Sequence, residues 1–173
     1  MKTKFLTIAI LLCTITTTQA QEQLSLSLYQ DARLLILGDP DHGYSAGTLD
    51  FTIRLNMQGN QQKYGYLVVF PEFEYANIQG IYKRWSANIG YTFNKLILPK
   101  TEASAALGFG FTDRYGLSFL TWSLNGAINY KISNRIKASI NSQLVQRKDL
   151  EHFYNETNAI RFSGFIGIEV KLF

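Results

Sequence analysis

The chain has 173 residues, of which 46% are hydrophobic, 14% are aromatic and 17% are charged, with a formal net charge of +4. This length predicts a single domain, and so small an excess of positive charge does not favour a nucleic-acid partner. No segment after the first 20 residues approaches the run of about 18 apolar residues that predicts a transmembrane helix.

Residues 1–20 have the pattern of a secretory signal peptide. Lys2 and Lys4 precede an apolar run over residues 5–15, and small residues lead to a predicted cleavage site after Ala20. The apolar run is too short to cross a membrane as a helix. We therefore expect an exported protein over residues 21–173, in which Cys13 has been removed and 15 basic residues face 13 acidic ones.

Eight segments of the mature chain alternate between apolar and polar residues. Since successive side chains of a strand point to opposite faces, each segment predicts a β-strand with one apolar face. The predicted strands are residues 23–38, 48–57, 64–75, 81–94, 103–112, 117–132, 135–146 and 159–173. Pro71 lacks a backbone N–H, so it predicts a bulge or a local break in the third strand.

An even number of antiparallel strands joined mainly by hairpins predicts a closed up-and-down β-barrel. A soluble lipocalin-like barrel would put the apolar faces inside, whereas a transmembrane barrel would put them outside, against lipid. The polar faces are rich in Ser, Thr, Asn and Gly, and aromatic residues such as Trp85 and Tyr130 gather near the strand ends. These features favour an eight-stranded transmembrane barrel, with the secreted lipocalin-like binding barrel as an alternative.

With these features, the chain resembles the small eight-stranded outer-membrane proteins of Gram-negative bacteria, of the OmpA transmembrane domain and OmpX/Ail type. The signal peptide, the eight alternating segments and the terminal Phe173 carry the resemblance. Phe173 departs from the family pattern, because it is in phase with Lys171 rather than with the apolar Leu172. The resemblance implies a porin-like envelope protein in the outer membrane, without a catalytic site or cofactor. It also implies a monomer that contacts outer-membrane lipid and lipopolysaccharide and is inserted by the barrel assembly machinery.

If both ends of the mature chain are periplasmic, alternate connections face outward. The predicted outer loops are residues 39–47, 76–80, 113–116 and 147–158, and the predicted periplasmic turns are residues 58–63, 95–102 and 133–134. Outer loops of such barrels are usually longer than the inner turns, and here this holds for the first and last outer loops.

The polar faces carry charges of nearly balanced sign, which would point into the barrel. They are Asp31, Arg33, Asp50, Arg54, Glu72, Glu74, Arg84, Lys137, Arg161, Glu169 and Lys171. An eight-stranded barrel is just wide enough for side chains to fill, and buried charges need partners. We therefore predict a structural ion-pair cluster that plugs the lumen, formed by Asp50, Arg54, Glu72, Glu74, Arg84 and Arg161. A gated pore or a proton path is the alternative.

A lipid-modifying enzyme, an acyl hydrolase or transferase, is the main rival function. It would need a serine and a histidine base, and the candidates are His42, Ser45 and His152. No lipase-type G-x-S-x-G is present. The acidic residues of the outer loops match no metal-binding loop; they are Asp39, Asp41, Asp149, Glu151 and Glu156. We therefore expect no enzyme, no metal and no cofactor.

The charged loop of residues 147–158 contains an aromatic pair, Phe153 and Tyr154. Exposed aromatic residues among charges can form a contact site for an extracellular partner, and they can equally rest on lipid headgroups. The sequence thus predicts an integral outer-membrane barrel with a structural, adhesive or envelope-stabilising role.

Overall fold

A computed structural model of the chain describes residues 23–40, 43–78, 80–94 and 98–172. The predicted signal peptide, His42, Phe173 and part of the turn predicted over residues 95–102 lie outside the described residues. The expectations about them stay predictions.

Eight antiparallel strands form one closed barrel. The strands are β1 (Gln23–Asp31), β2 (Asp50–Gln58), β3 (Gly65–Asn77), β4 (Ile81–Asn94), β5 (Thr101–Arg114), β6 (Leu117–Lys131), β7 (Ile136–Gln146) and β8 (Ile160–Lys171). Each strand pairs with its neighbours in sequence, and β1 pairs with β8 to close the sheet. The predicted up-and-down barrel of eight strands is confirmed. No helix in the described part of the chain is long and apolar enough to cross a membrane.

Polar side chains point into the barrel and apolar side chains point out of it. In β4, Arg84 is only 1% exposed, whereas the next residue, Trp85, is 57% exposed. The largest contiguous group of buried apolar residues is small, consisting of Val68, Phe70 and Ala106. This is the reverse of a lipocalin-like barrel and confirms the face assignment of a transmembrane barrel.

The first predicted strand is too long. β1 ends at Asp31, and the helix α1 (Ala32–Ile36) follows, because the Asp31 side chain caps the helix by accepting a hydrogen bond from the Leu34 N–H at 2.8 Å. Gly38 adopts a φ of +74° just after the helix, where its N–H and that of Leu37 both donate to the Arg33 carbonyl. Arg33 therefore lies at the rim of the barrel and does not point into the lumen.

Pro71 causes a local break but no bulge. Arg54 lies opposite Glu72, and Met57 lies opposite Val69, so equal numbers of residues separate the two pairs on β2 and β3. The ladder is interrupted only between these pairs, on the β2 side of Pro71. On the other side, β3 pairs with β4 without interruption. The missing N–H of Pro71 thus interrupts the pairing of β3 with β2 only, and the β2–β3 register is the same on both sides of the interruption.

The segment predicted as a charged loop contains the helix α2 (Lys148–Tyr154). No side chain caps its N-terminus, and Asn155 ends it in the left-handed conformation with a φ of 52°. Two of its residues, Asp149 and Leu150, are buried. A helix of seven residues is marginal by itself, so contacts with the barrel stabilise it. α1 and α2 lie at the same end of the barrel, since β1 and β7 run in the same direction.

Candidate functional site

The middle of the lumen is occupied by a cluster around Glu72, a β3 residue whose side chain is fully buried. One carboxylate oxygen accepts a hydrogen bond from Arg54 on β2, and the other accepts one from Arg84 on β4. Gln143, from β7 across the lumen, also donates to Glu72 at 3.0 Å. The side chains of Arg54 and Arg84 are 5% and 1% exposed. The cluster thus ties three adjacent strands to the opposite wall.

Further contacts fix the two guanidinium groups. Arg84 donates from Nε to Glu74 Oε2 at 2.9 Å, so two arginines balance two glutamates. The Arg54 guanidinium lies between the rings of Tyr29 and Phe70, at 4.8 and 4.9 Å from their centroids. A cation over an aromatic face is attracted by the ring quadrupole. Arg54, Arg84, Glu72 and Glu74 are hereafter called the Glu72 cluster.

Strand register explains why these four residues meet. Arg54 lies directly opposite Glu72 in the β2–β3 ladder, and Glu74 lies directly opposite Arg84 in the β3–β4 ladder. Directly opposed residues of opposite charge stabilise an antiparallel pair.

The structure does not bring Asp50 and Arg161 into this cluster, which corrects its predicted membership. Asp50 is buried, but it forms no ion pair within the described residues, and its Oδ1 has no hydrogen-bond partner there. Arg161 pairs with Glu156 at the rim, and its side chain is 41% exposed. Both residues face the lumen side, but they lie near strand ends. Alternation gives the face of a residue and not its height along the barrel.

The lumen network also has neutral members, which were not among the predicted cluster residues. Asn125 accepts from Arg54 Nη2 at 3.1 Å and donates to Asn88 Oδ1 at 3.2 Å. Gln143 was also missed, although all three lie on the polar faces of the predicted strands. The signal that could have found them was their phase, because any polar residue in phase with Arg54 or Arg84 points inward.

Little open space remains beside the Glu72 cluster. A void of about 30 Å³, lined in part by Tyr29, Arg54 and Phe70, lies between two larger pockets of about 490 and 750 Å³ at the two ends of the barrel. A void of this size holds about two water molecules. The lumen is therefore narrow in its middle and wide at both ends.

The pocket of about 750 Å³ lies beside α1 and α2, and we call this end the capped mouth. Asp149 of α2 is fully buried there and accepts hydrogen bonds from Arg114 Nε and from Arg147 Nε and Nη2, each at 2.9 Å. The Arg147 guanidinium lies 3.9 Å from the centroid of the Tyr82 ring. Asp149, Arg114 and Arg147, hereafter the Asp149 clamp, fasten α2 to the barrel wall.

Electrostatics favour the charged forms of the Asp149 clamp. Burial by itself would raise the pKa of Asp149, but the hydrogen bonds and charge of Arg147, together with Arg114, hold this pKa below its usual value. Burial would likewise lower the pKa of Arg147, but Tyr82 and Asp149 raise it above its usual value. Asp149 and Arg147 are therefore both ionised at neutral pH.

The predicted contact pair, Phe153 and Tyr154, lies on α2 against the β5–β6 hairpin. The Phe153 ring is 5.2 Å from that of Tyr115 and 6.0 Å from that of Phe119. The Tyr154 hydroxyl lies 3.3 Å from the Tyr115 hydroxyl. The pair thus helps to hold the helix, and its role as a contact site for a partner stays a prediction.

The pocket of about 490 Å³ lies at the opposite end, where β1 begins and β8 ends, and we call this end the basic mouth. Glu102 accepts from Lys131 at 2.7 Å and from Lys137 at 2.9 Å. Lys137 also pairs with Glu169 at 3.1 Å, and Ser25 donates to the same carboxylate at 2.9 Å. Lys137 therefore bridges the two carboxylates of this mouth.

The candidates for catalysis are not assembled within the described residues. Ser45 is exposed, and its backbone carbonyl accepts a hydrogen bond from the Thr48 hydroxyl at 2.7 Å. His152 packs against the rings of Phe119 and Phe153, and His42 lies outside the described residues. The described part of the chain also contains no group of three or more His, Cys, Asp or Glu residues that could hold a metal ion.

The fold has solved counterparts, although no family model and no curated protein matches the chain. The chain is similar to a de novo designed transmembrane β-barrel, with a TM-score of 0.51 and 12% identity over 89% of this chain and 98% of that one. It is also similar to the Yersinia pestis outer membrane protein Ail in a phospholipid bilayer nanodisc, with a TM-score of 0.56 and 11% identity over 87% of this chain and 99% of that one. At these identities the matches show the fold, and they confirm the transmembrane barrel architecture that the resemblance predicts.

Proposed function

We propose that the chain is an integral outer-membrane barrel with a closed lumen and a structural, envelope-stabilising role. The observation that carries the proposal is the sharp contrast between adjacent inward and outward residues, such as Arg84 at 1% and Trp85 at 57% exposure. Lipid is the solvent that such an exterior suits, and a closed barrel satisfies every strand hydrogen bond within itself.

The dimensions of the barrel also support a membrane position. The strands have 9 to 15 residues, and a tilted transmembrane strand needs about 9–11. Aromatic pairs lie on the exterior towards both ends, with Phe73 4.3 Å from Trp85 and Tyr91 4.8 Å from Phe93. Such aromatic belts are typical of the two lipid–water interfaces. In water, so large an apolar surface would drive aggregation.

The Glu72 cluster supports a closed lumen. Its charges are balanced within the barrel wall, and the void beside it has only about 30 Å³. An ion that crossed this region would have to displace the guanidinium groups from their carboxylates, which leaves buried charges without partners and is costly.

Cell fractionation tests the membrane position. We expect the protein in the outer-membrane fraction, with slower migration on SDS gels after boiling than before, because a folded barrel resists SDS and stays compact. A soluble periplasmic product with the same migration before and after boiling would contradict the proposal.

Planar-bilayer recordings test the closed lumen: we expect no large steady conductance, and a large one would show a pore instead.

A further inference from the structure

The described lining of the basic mouth carries more positive than negative charge. Its described lining contains five cationic side chains and two acidic ones, a net charge of +3. We propose that the basic mouth is a binding site for a soluble anion that carries two or more phosphate or carboxylate groups. The site goes beyond the proposed function, and it faces the periplasm if, as the sequence predicts, both ends of the mature chain are periplasmic.

Both acidic residues of this mouth are already engaged. Glu102 is paired with Lys131 and Lys137, and Glu169 is paired with Lys137. The other three cationic residues of the lining form no ion pair with any residue that the structure describes; they are Lys100, Arg135 and Lys171. The positive charge available to a ligand therefore comes from these three residues.

The topology forces like charges together at this end. The Lys131 N–H donates to the Lys100 carbonyl at 2.9 Å, and the Lys171 N–H donates to the Arg135 carbonyl at 2.8 Å. Two pairs of cationic residues are thus neighbours across hydrogen-bonded backbones. Like charges at such positions are destabilising, and a bound anion between them would relieve the repulsion.

Another like-charged pair at the same mouth shows how such repulsion is relieved. Lys131 and Lys137 lie directly opposite each other in the β6–β7 ladder, and the Glu102 carboxylate accepts from both of them. The chain supplies an internal anion for this pair. Within the described residues it supplies none for Arg135 and Lys171.

The size and lining of the pocket suit a small multivalent anion. Its volume of about 490 Å³ lies within the range of about 300–1,000 Å³ that is usual for small-molecule sites. Uncharged polar side chains complete the lining; they are Gln23, Gln58, Gln61, Tyr66, Ser133 and Asn134. Charges of one sign in a concave site focus the field and attract counter-ions.

Calorimetric titration with inorganic tripolyphosphate tests the site, with the barrel in a neutral maltoside detergent at low salt. We expect one binding event that weakens as salt is added. The variant Lys100→Gln/Arg135→Gln/Lys171→Gln should bind about ten- to a hundredfold more weakly, since it removes three charge contacts at the open mouth. Slower migration on SDS gels after boiling than before, for each variant, shows that it is folded.

The matched control removes three exposed cations from the other end of the barrel, as Arg33→Gln/Lys83→Gln/Lys148→Gln. Because its change in net charge is the same, unchanged affinity for tripolyphosphate supports a local site. Equal weakening in both variants, or no binding by the wild type up to millimolar tripolyphosphate, would overturn the proposal. The proposal would also be overturned if tripolyphosphate bound the wild type and the Lys100/Arg135/Lys171 variant equally, while phosphatidylglycerol vesicles bound the wild type more tightly. The titration is done in detergent micelles and does not depend on where the protein lies in the cell. A negative titration therefore contradicts the anion site alone, and a negative fractionation contradicts the membrane position alone.

Discussion

The described lining of the capped mouth has five acidic and four basic side chains, whereas that of the basic mouth has two acidic and five basic ones. At the capped mouth the helix α2 lies beside the pocket, and its Asp149 pairs with two arginines and has no exposed side-chain area. The pairs of the basic mouth are more exposed than this clamp, since the Lys131 side chain retains 48% of its accessible surface and the Arg147 side chain retains 14%.

This contrast shows that charge has a different consequence at each end of the barrel. Buried ion pairs with full hydrogen bonding fix the arrangement of the groups around them, because breaking one leaves an uncompensated charge. Exposed pairs contribute little, since water and salt screen them. Buried ion pairs thus fix the structure of the capped mouth, whereas the basic mouth has positive charge available for a partner.

The contrast depends on the Glu72 cluster, which separates the two mouths. Arg84→Ala should lower the free energy of unfolding by about 3–5 kcal/mol, because it removes the partner that Glu72 and Glu74 share. Urea titration of the barrel in lipid vesicles measures the change, and planar-bilayer recordings should still show no steady conductance. In the control Lys83→Ala, the neighbouring side chain points outward and is exposed, so a change below about 0.5 kcal/mol is expected. Equal losses in the two variants would contradict the structural role of the cluster.

Acid should loosen the capped mouth. The pKa of Asp149 is held below its ordinary value of 3.8 by Arg147 and Arg114, which face it. The contribution of the Asp149 clamp is therefore complete above that value and is lost as the pH falls from there through the lower pKa of the folded state. Hydrogen exchange should show protected α2 amides at pH 5 and progressive loss of protection below pH 3.8.

Two variants on the same helix give the controls for this pH dependence. Asp149→Asn removes the ionisable group, so α2 should be poorly protected at both pH values. Glu151→Gln changes an exposed carboxylate of α2 and should leave the pH dependence as in the wild type. Protection that persists unchanged into strong acid in the wild type would show that the ionised clamp does not hold the helix.

The smallest effect is expected at the basic mouth. Lys131→Gln breaks a half-exposed pair with Glu102 and should lower the free energy of unfolding by less than about 1 kcal/mol, a difference that added salt removes. Lys137→Gln should cost more, because Lys137 is only 15% exposed and pairs with two carboxylates. Urea titration in vesicles at two salt concentrations checks both. A loss for Lys131→Gln as large as that for Arg84→Ala would erase the distinction between the exposed pair of the basic mouth and the buried Glu72 cluster.

Most of the barrel could be predicted from local pattern. The observed bounds of β4 are those predicted, residues 81–94, and the bounds of the other strands from β2 to β8 differ from the predictions by at most two residues. The errors arose where the residue pattern came from a helix rather than from a strand. Leu34 continues the apolar alternation of β1, but the Asp31 side chain caps a helix there. α2 was missed because a seven-residue helix held by a buried Asp149 has little local signal.

By itself, the sequence determined which face of each strand meets lipid and which meets the lumen, because alternation with period two is a property of neighbouring residues. It also determined the closed-barrel class, through the number of strands and their short connections. Only the tertiary structure decided which charges meet. Arg54 faces Glu72, while Asp50 and Arg161 remain outside the cluster, because the height of a residue depends on strand register around the whole barrel. The convergence of Lys100, Arg135 and Lys171 on one mouth has the same origin, since separate connections reach a common rim only when the sheet closes.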